Sequence, residues 1–207
     1  GTVIVDVPML SNGELNYRLS HIKKKLYEEN VYPSEIGFDI MSLATMVYMA
    51  DTRIERVVHG QDSWTREIEL EIPVSNVEIW DSQIRTVERM LKFLTGDLWK
   101  ITLSSRAWQF NNLEEVREKS YKYDEVSLFS GGLDSLISTI NLMENKKNTL
   151  LISHAGEGLT KNAQKNIVNK FDLLYPDVLH TWLDLWMVFT RDYIQAGGND
   201  NYTMSRS

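Results

Sequence analysis

Six consecutive residues, Ser130-Gly131-Gly132-Leu133-Asp134-Ser135, carry the side chains best suited to chemistry in this 207-residue sequence. Two glycines let the backbone approach an anion closely, and the first N–H groups of a following helix would point at it. Ser130 and Ser135 add hydroxyl donors on either side. Asp134 would repel a bare phosphate, so its place there makes chemical sense if it holds a Mg²⁺ that bridges phosphate oxygens. No Lys follows the glycines, which separates this loop from the Walker type. A helix cap made by the same Asp and Ser is the simpler alternative; the whole string, set between strand and helix, favours the cradle.

Such a cradle needs a strand before it and a helix after it. Val126, Leu128 and Phe129 read as a short buried strand, and Leu136, Ile137, Ile140 and Met143 recur at helical spacing. Thr149 to Ser153 reads as a second strand, leading into His154. Thr160 can cap a helix bearing Ile167, Val168, Phe171 and Leu174, and Val178 to Leu183 reads as a third strand. Strand and helix alternating in this way build a doubly wound parallel sheet, an α/β fold with ligands at the carboxyl ends of its strands. Three strands and two connecting helices cannot cover both faces of such a sheet. The expectation is therefore a domain incomplete at its C-terminus, or a sheet completed by another chain. Residues 185–194 are apolar without a clear period, and Gln195 to Tyr202 reads as a loop.

The first 120 residues read as a separate α+β accessory domain, with residues 121–207 forming the second domain and a charged linker over about 111–125. Val3, Val5 and Val7 alternate in a strand that Pro8 ends. Leu19, Ile22 and Leu26 place a short helix carrying Lys23-Lys24-Lys25 on a solvated face. Pro33-Ser34-Glu35 starts a helix with the stripe Ile36, Ile40, Leu43, Ala44 and Val47. Asp51 to Gly60 and Trp64 to Ile72 read as two strands joined as a hairpin, the second alternating Ile68, Leu70 and Ile72 with Glu67, Glu69 and Glu71 until Pro73 closes it. Val77, Trp80, Ile84, Val87, Leu91 and Leu94 form one amphipathic helix stopped at Thr95-Gly96, and Leu98 to Leu103 is a further strand. The expected sheet is antiparallel or mixed. Asp51, Arg53, Asp62, Thr65 and Arg66 are polar clusters that structure alone explains, and six irregularly spaced tryptophans suit core packing.

Bulk properties exclude several classes of function. Net charge is −7, and both parts of the chain are acidic, so neither offers the basic surface that non-specific nucleic-acid binding needs. The absence of Cys rules out disulfides, a thiolate nucleophile and a Cys-ligated zinc site within these residues. No apolar run is long enough to span a membrane, and the first residues lack a basic region followed by a long apolar one. Cytoplasmic localisation is the expectation.

LFSGGLDS, a later strand ending LISHAGEG and the final TMSRS together resemble the QueC-like branch of the PP-loop family, the N-type ATP pyrophosphatases related to 7-cyano-7-deazaguanine synthase. YMADTRI, DSWTREIELEIPVSNVEIW and FLTGDLW are similar to the extra N-terminal domain of the longer QueC-like members carried by Qat anti-phage systems. The resemblance spans most of the chain from about residue 48. It implies an adenine nucleotide alpha hydrolase-like fold, with ATP and Mg²⁺ gripped by Ser130, Gly131, Gly132, Leu133, Asp134 and Ser135. It also implies adenosine contacts at Ser153 and His154, and an Arg206 that neutralises phosphate charge. Catalytic roles fall to Asp134, Ser135 and Arg206, with Asp134 the metal ligand.

The implied reaction is ATP-dependent adenylation of a carboxylate, a 7-carboxy-7-deazaguanine-type base, with release of pyrophosphate and transfer to an amine. Ammonia or an amino group on a partner protein of a defence operon would be the acceptor. The synthase begins at its PP-loop strand and ends in a Cys cluster that holds zinc. Here the loop begins at Ser130 and no Cys is present; either that portion lies beyond Ser207 or this branch lacks the zinc, which puts a nitrile product in doubt. An asparagine-synthetase-like amide former, which shares SGGLDS, and a non-catalytic ATP-binding subunit are the alternatives.

Overall fold

The computed structural model describes residues 4, 6–110, 122–154 and 158–187. Thr2, Val3 and Val5 of the expected first strand, the linker residues 111–121, the 189–202 segment and the TMSRS end with Arg206 lie outside the described residues. The protein is mixed α/β with small parallel sheets. Its described residues divide into two compact units: 4, 6–17 and 33–110 in one, 18–32 and 122–187 in the other. Residues 18–32, grouped with the N-terminal domain in the sequence reading, thus lie in the second unit. No helix among the described residues is long and apolar enough to cross a membrane.

The first unit opens with a two-stranded antiparallel pair, β1 (Leu10–Ser11) and β2 (Glu14–Leu15), turned at Asn12 and Gly13, both at positive φ. Asn-Gly is the dipeptide that a tight hairpin turn demands. Asp6 to Pro8 are not strand. In the second unit the short helix α1 (Leu19–Glu28) buries Leu19 and Ile22 as its spacing requires.

Back in the first unit, α2 (Glu35–Arg53) begins where expected, with the Ser34 side chain accepting from the Gly37 N–H at 3.1 Å. Its buried face is not the expected stripe. Phe38, Asp39, Ser42, Leu43, Met46 and Met49 point inward, while Ile36 and Ile40 are exposed. Asp39 sets this rotation. Its carboxylate accepts from Ser75 N–H (2.9 Å), Ser75 Oγ (2.6 Å), Trp80 Nε1 (3.1 Å) and Arg106 Nη2 (3.1 Å).

The expected hairpin is absent. Asp51 to Arg53 complete α2, and Arg56–His59 form the single turn α3. The physical cause is a closed ring of four charges, Asp51, Arg56, Arg66 and Asp97, all buried. Arg56 donates to Asp51 (2.9 Å) and Asp97 (2.6 Å), and Arg66 donates to the same two carboxylates at 2.5 and 2.6 Å. Such charges are tolerated inside only when every one is paired and bonded. Satisfying them folds the 51–66 segment back on itself, leaving Val57 and Val58 exposed.

β3 (Glu67–Val74) alternates as read, with Ile68, Ile72 and Val74 buried, and it runs through Pro73. Pro73 is tolerated because β3 has a single strand partner among the described residues, and the missing N–H falls on the edge away from it. The long amphipathic helix is two helices, α4 (Val77–Asp81) and α5 (Ile84–Thr95), interrupted at Ser82 and Gln83. Gly96 ends α5 at φ 73°, a left-handed cap that suits glycine. β4 (Leu98–Ser105) then pairs parallel to β3, from Glu67 opposite Leu98 to Val74 opposite Ser105. The expected antiparallel or mixed sheet is therefore a parallel pair joined by a helical crossover.

In the second unit, β5 (Glu125–Leu128), α6 (Leu133–Glu144), β6 (Thr149–His154), α7 (Gly158–Leu174) and β7 (His180–Leu185) follow one another as read, and the three strands are parallel in the order β5-β6-β7. Helix α7 starts at Gly158, so Thr160 lies within its first turn rather than capping it. Phe129, Leu151, Val168 and Phe171 form the core, with Leu136, Ile140 and Trp182 packed against it. One expectation fails here: Val126 and Leu128 are 68% and 79% exposed. They alternate with Ser127 and Phe129, and among the described residues it is the Phe129 side of this strand that is covered.

Candidate functional site

Backbone geometry at the end of β5 is imposed by Gly131. Its φ is +84°, and a Cβ added there would stand 3.0 Å from Cγ of Gln164. Gln164 comes from α7, is fully buried, and donates from Nε2 to the Ser130 carbonyl at 3.0 Å. Ser153, in β6, donates its hydroxyl to the Phe129 carbonyl and accepts from Trp182 Nε1 at 2.8 Å. The turn thus rests on α7 below and is tied to β6 at its side.

Within the turn the two hydroxyls do the holding. Ser135 Oγ accepts from the Gly131 N–H (3.2 Å) and donates to the Gly132 carbonyl (2.9 Å). Ser135 has one proton and spends it on that carbonyl, so across the 3.1 Å Ser130–Ser135 contact Ser130 is the donor. Ser130 Oγ in turn accepts from the Gly132 N–H at 3.3 Å. These N–H contacts are long, at the weak end of the range for such bonds.

Gly132 is the N-cap of α6 and brings no side-chain cap. The first intrahelical bond is Leu136 N–H to Gly132 O, so the amides of Leu133, Asp134 and Ser135 precede the helix's own ladder. Their partial positive charge faces outward beside exposed Ser130, Gly132 and Asp134. Ser130, Ser135 and Asp134 are hard oxygen donors of the kind Mg²⁺ takes, and the Asp134 side chain makes no hydrogen bond or ion pair to another described residue. The residues present fit that ion, with Asp134 as the charged ligand.

Other sequence-derived candidates fare differently. His154 ends β6 at the same edge of the sheet as the turn and is exposed on one side; partial burial lowers its pKa below the ordinary imidazole value. The hydroxyl of Ser153 is buried and bonded to two protein partners, so this side chain ties β6 to the end of β5 and to β7. Leu133 is exposed, and its amide is one of those that precede the helix's ladder. Arg206 lies outside the described residues.

Two features escaped the sequence. Gln164 gave no signal, since a lone glutamine in a helix reads as surface. Asp184, near the end of β7, binds Lys161 of α7 through one carboxylate oxygen and Lys25 of α1 through the other, with Lys25 also donating to the Asp184 carbonyl at 3.2 Å. Burial pushes this carboxyl up, but the two lysines outweigh it and hold it below the ordinary carboxylate range. A charged residue in the apolar run Thr181-Trp182-Leu183-Asp184-Leu185 was the available clue.

Lys25 is accordingly half-buried and paired, where a solvated basic triplet was expected. Comparison with protein-family models, with curated proteins and with solved structures finds no significant match for this chain.

Proposed function

We propose that the chain is an ATP-dependent ligase of the QueC-like PP-loop type, with the nucleotide's pyrophosphate seated in the Ser130–Ser135 turn. One observation carries the reading: a left-handed glycine turn at the end of a parallel strand opens into a helix whose N-cap has no side chain, ringed by two serine hydroxyls and one exposed carboxylate. The strand order β5-β6-β7 with helical crossovers suits one half of a doubly wound, adenine nucleotide alpha hydrolase-like sheet, and places the turn and His154 at the carboxyl edge where such folds bind ligands.

On this reading, the amides of Gly131 to Ser135 take the β- and γ-phosphate oxygens, displacing the long internal contacts to the serine hydroxyls. The α-phosphorus is left open. A substrate carboxylate oxygen attacks it, the bond to the bridging oxygen of the β-phosphate breaks, and pyrophosphate leaves with its developing charge met by the helix N-terminus. An amine then attacks the acyl carbon, forming an amide and releasing AMP. Mg²⁺, when bound at Asp134, supplies charge neutralisation on the phosphate oxygens. Arg206 would add to this. Positioning and preorganised charge supply the rate, and no covalent protein intermediate is required.

The resemblance favours a deazapurine carboxylic acid as substrate, with ammonia or a partner protein's amino group as acceptor in a defence setting. The test is pyrophosphate release from ATP, with and without 7-carboxy-7-deazaguanine and an ammonium donor. Acid-dependent release that disappears in Asp134→Asn supports the proposal. Saturable ATP binding with no AMP formed under any acid favours the non-catalytic ATP-binding alternative, and release with aspartate instead favours the asparagine-synthetase-like one.

A further inference from the structure

Asp184 is held by two lysines, one on each oxygen, and this arrangement has a property that a simple ion pair lacks. Either lysine can leave without stranding a largely buried carboxylate, which would otherwise be costly. The two are not equivalent. Lys25 is 22% exposed and bonds both the side chain and the carbonyl of Asp184, whereas Lys161 is 42% exposed and bonds the side chain alone. Lys161 is therefore the one free to move.

Its place in the fold says where it would go. Lys161 lies one turn before Gln164 on α7, so the two share a face. Gln164 is the residue that touches Ser130 and Gly131. Helical side chains lean toward the helix N-terminus, and here that end lies at the carboxyl edge of the sheet, where β6 ends at His154 and α7 begins at Gly158. Asp184 stands opposite Ser153, which bonds Phe129 at the start of the turn. Asp184 is thus two strand spacings, about 4.8 Å each, from Phe129, the residue that leads into the turn, a span within the swing of a lysine's flexible four-carbon stem. With two ammonium groups on one carboxylate, these three residues carry one net positive charge toward an anion bound at the turn.

We propose that Lys161 is a second ligand for the pyrophosphate, exchanging its bond to Asp184 for one to a phosphate oxygen when the Ser130–Ser135 turn is filled, while Lys25 stays behind to neutralise Asp184. This rests on the phosphate-binding reading of the turn and adds a residue that neither the SGGLDS string nor its resemblance contains.

The experiment is isothermal titration of the full chain with Mg-pyrophosphate, Mg-ATP and AMP, using the wild type, Lys161→Gln, Asp184→Asn and Gly131→Ala. Lys161→Gln is expected to weaken Mg-pyrophosphate and Mg-ATP about tenfold or more, as loss of a hydrogen bond to a charged group does, and to leave AMP unchanged. Asp184→Asn, which releases Lys161, is expected to tighten both. A merely structural ion pair predicts that both substitutions act in the same direction or not at all. Unchanged Mg-pyrophosphate affinity in Lys161→Gln, or weaker binding in Asp184→Asn, overturns the proposal while leaving the turn's role intact, provided Gly131→Ala removes binding. No binding of pyrophosphate or ATP to the wild type overturns both.

Discussion

Gln164 donates to the carbonyl of Ser130 from directly beneath the turn, so the loop after β5 is supported by the helix after β6. That support dictates glycine next door. In Gly131→Ala the new methyl meets Gln164 Cγ at 3.0 Å, and an L-residue is forced to φ +84°. A substitution incompatible with its native backbone costs more than about 1 kcal/mol. The urea midpoint should fall accordingly, together with any affinity for pyrophosphate.

Asp97 is the hub of the buried ring in the first unit, accepting from Arg66 N–H (2.9 Å), Arg66 Nη2 (2.6 Å) and Arg56 Nη1 (2.6 Å). Asp97→Asn leaves two buried guanidiniums short of charge, and breaking such a pair costs about 3–5 kcal/mol. Urea unfolding followed by tryptophan fluorescence measures it; a loss under 1 kcal/mol would mean the ring is not closed in solution.

The same carboxyl sets a pH dependence. Burial pushes it up, but the bonds from Arg66 and Arg56 outweigh this and hold it below the ordinary value. A depressed carboxylate contributes stability that is complete above the unfolded value of about 3.9 and is lost as the pH falls through the folded one. The wild-type urea midpoint should therefore drop below that pH. Asp97→Asn should show a shallower decline, since it has already lost the contribution.

Asp134→Asn separates fold from chemistry. The carboxylate sits in the first turn of α6, where its favourable interaction with the helix dipole is worth about 0.3–1 kcal/mol. The melting temperature should therefore move only slightly, whereas acid-dependent pyrophosphate release should vanish. Retained turnover would remove Asp134 from the mechanism.

Partial burial lowers the pKa of His154, so its imidazole should titrate below the ordinary value of about 6.5 and be neutral at pH 7. The proton chemical shift at Cε1 followed across the acidic range checks this. A midpoint above the ordinary value would place a negative group beside the ring.

Much of the second unit was legible because its signals are local. Alternation of strand and helix, the Gly-Gly bend and the spacing of Leu136, Ile140 and Met143 each depend on neighbouring residues. What failed depends on distant partners. Asp51, Arg56, Arg66 and Asp97 are scattered over 47 positions of the numbering, and only their joint burial explains why 51–60 is not a strand. Asp39 turned α2 away from its most apolar face for the same kind of reason. At the turn, the sequence pointed to the loop itself but not to Gln164, Lys161 or Asp184, whose importance lies in where the fold brings them. Ser153 showed the converse: a strand-end position suited to a ligand contact, with its hydroxyl taken by Phe129 and Trp182.

The most direct measurement is an amide proton–nitrogen correlation spectrum of the chain titrated with Mg-pyrophosphate. Saturable shifts concentrated at Gly131, Gly132, Leu133 and Asp134, with no comparable change in the first unit, are the expected result. Unmoved resonances at those four residues, at concentrations where ATP-binding enzymes are saturated, would contradict the account.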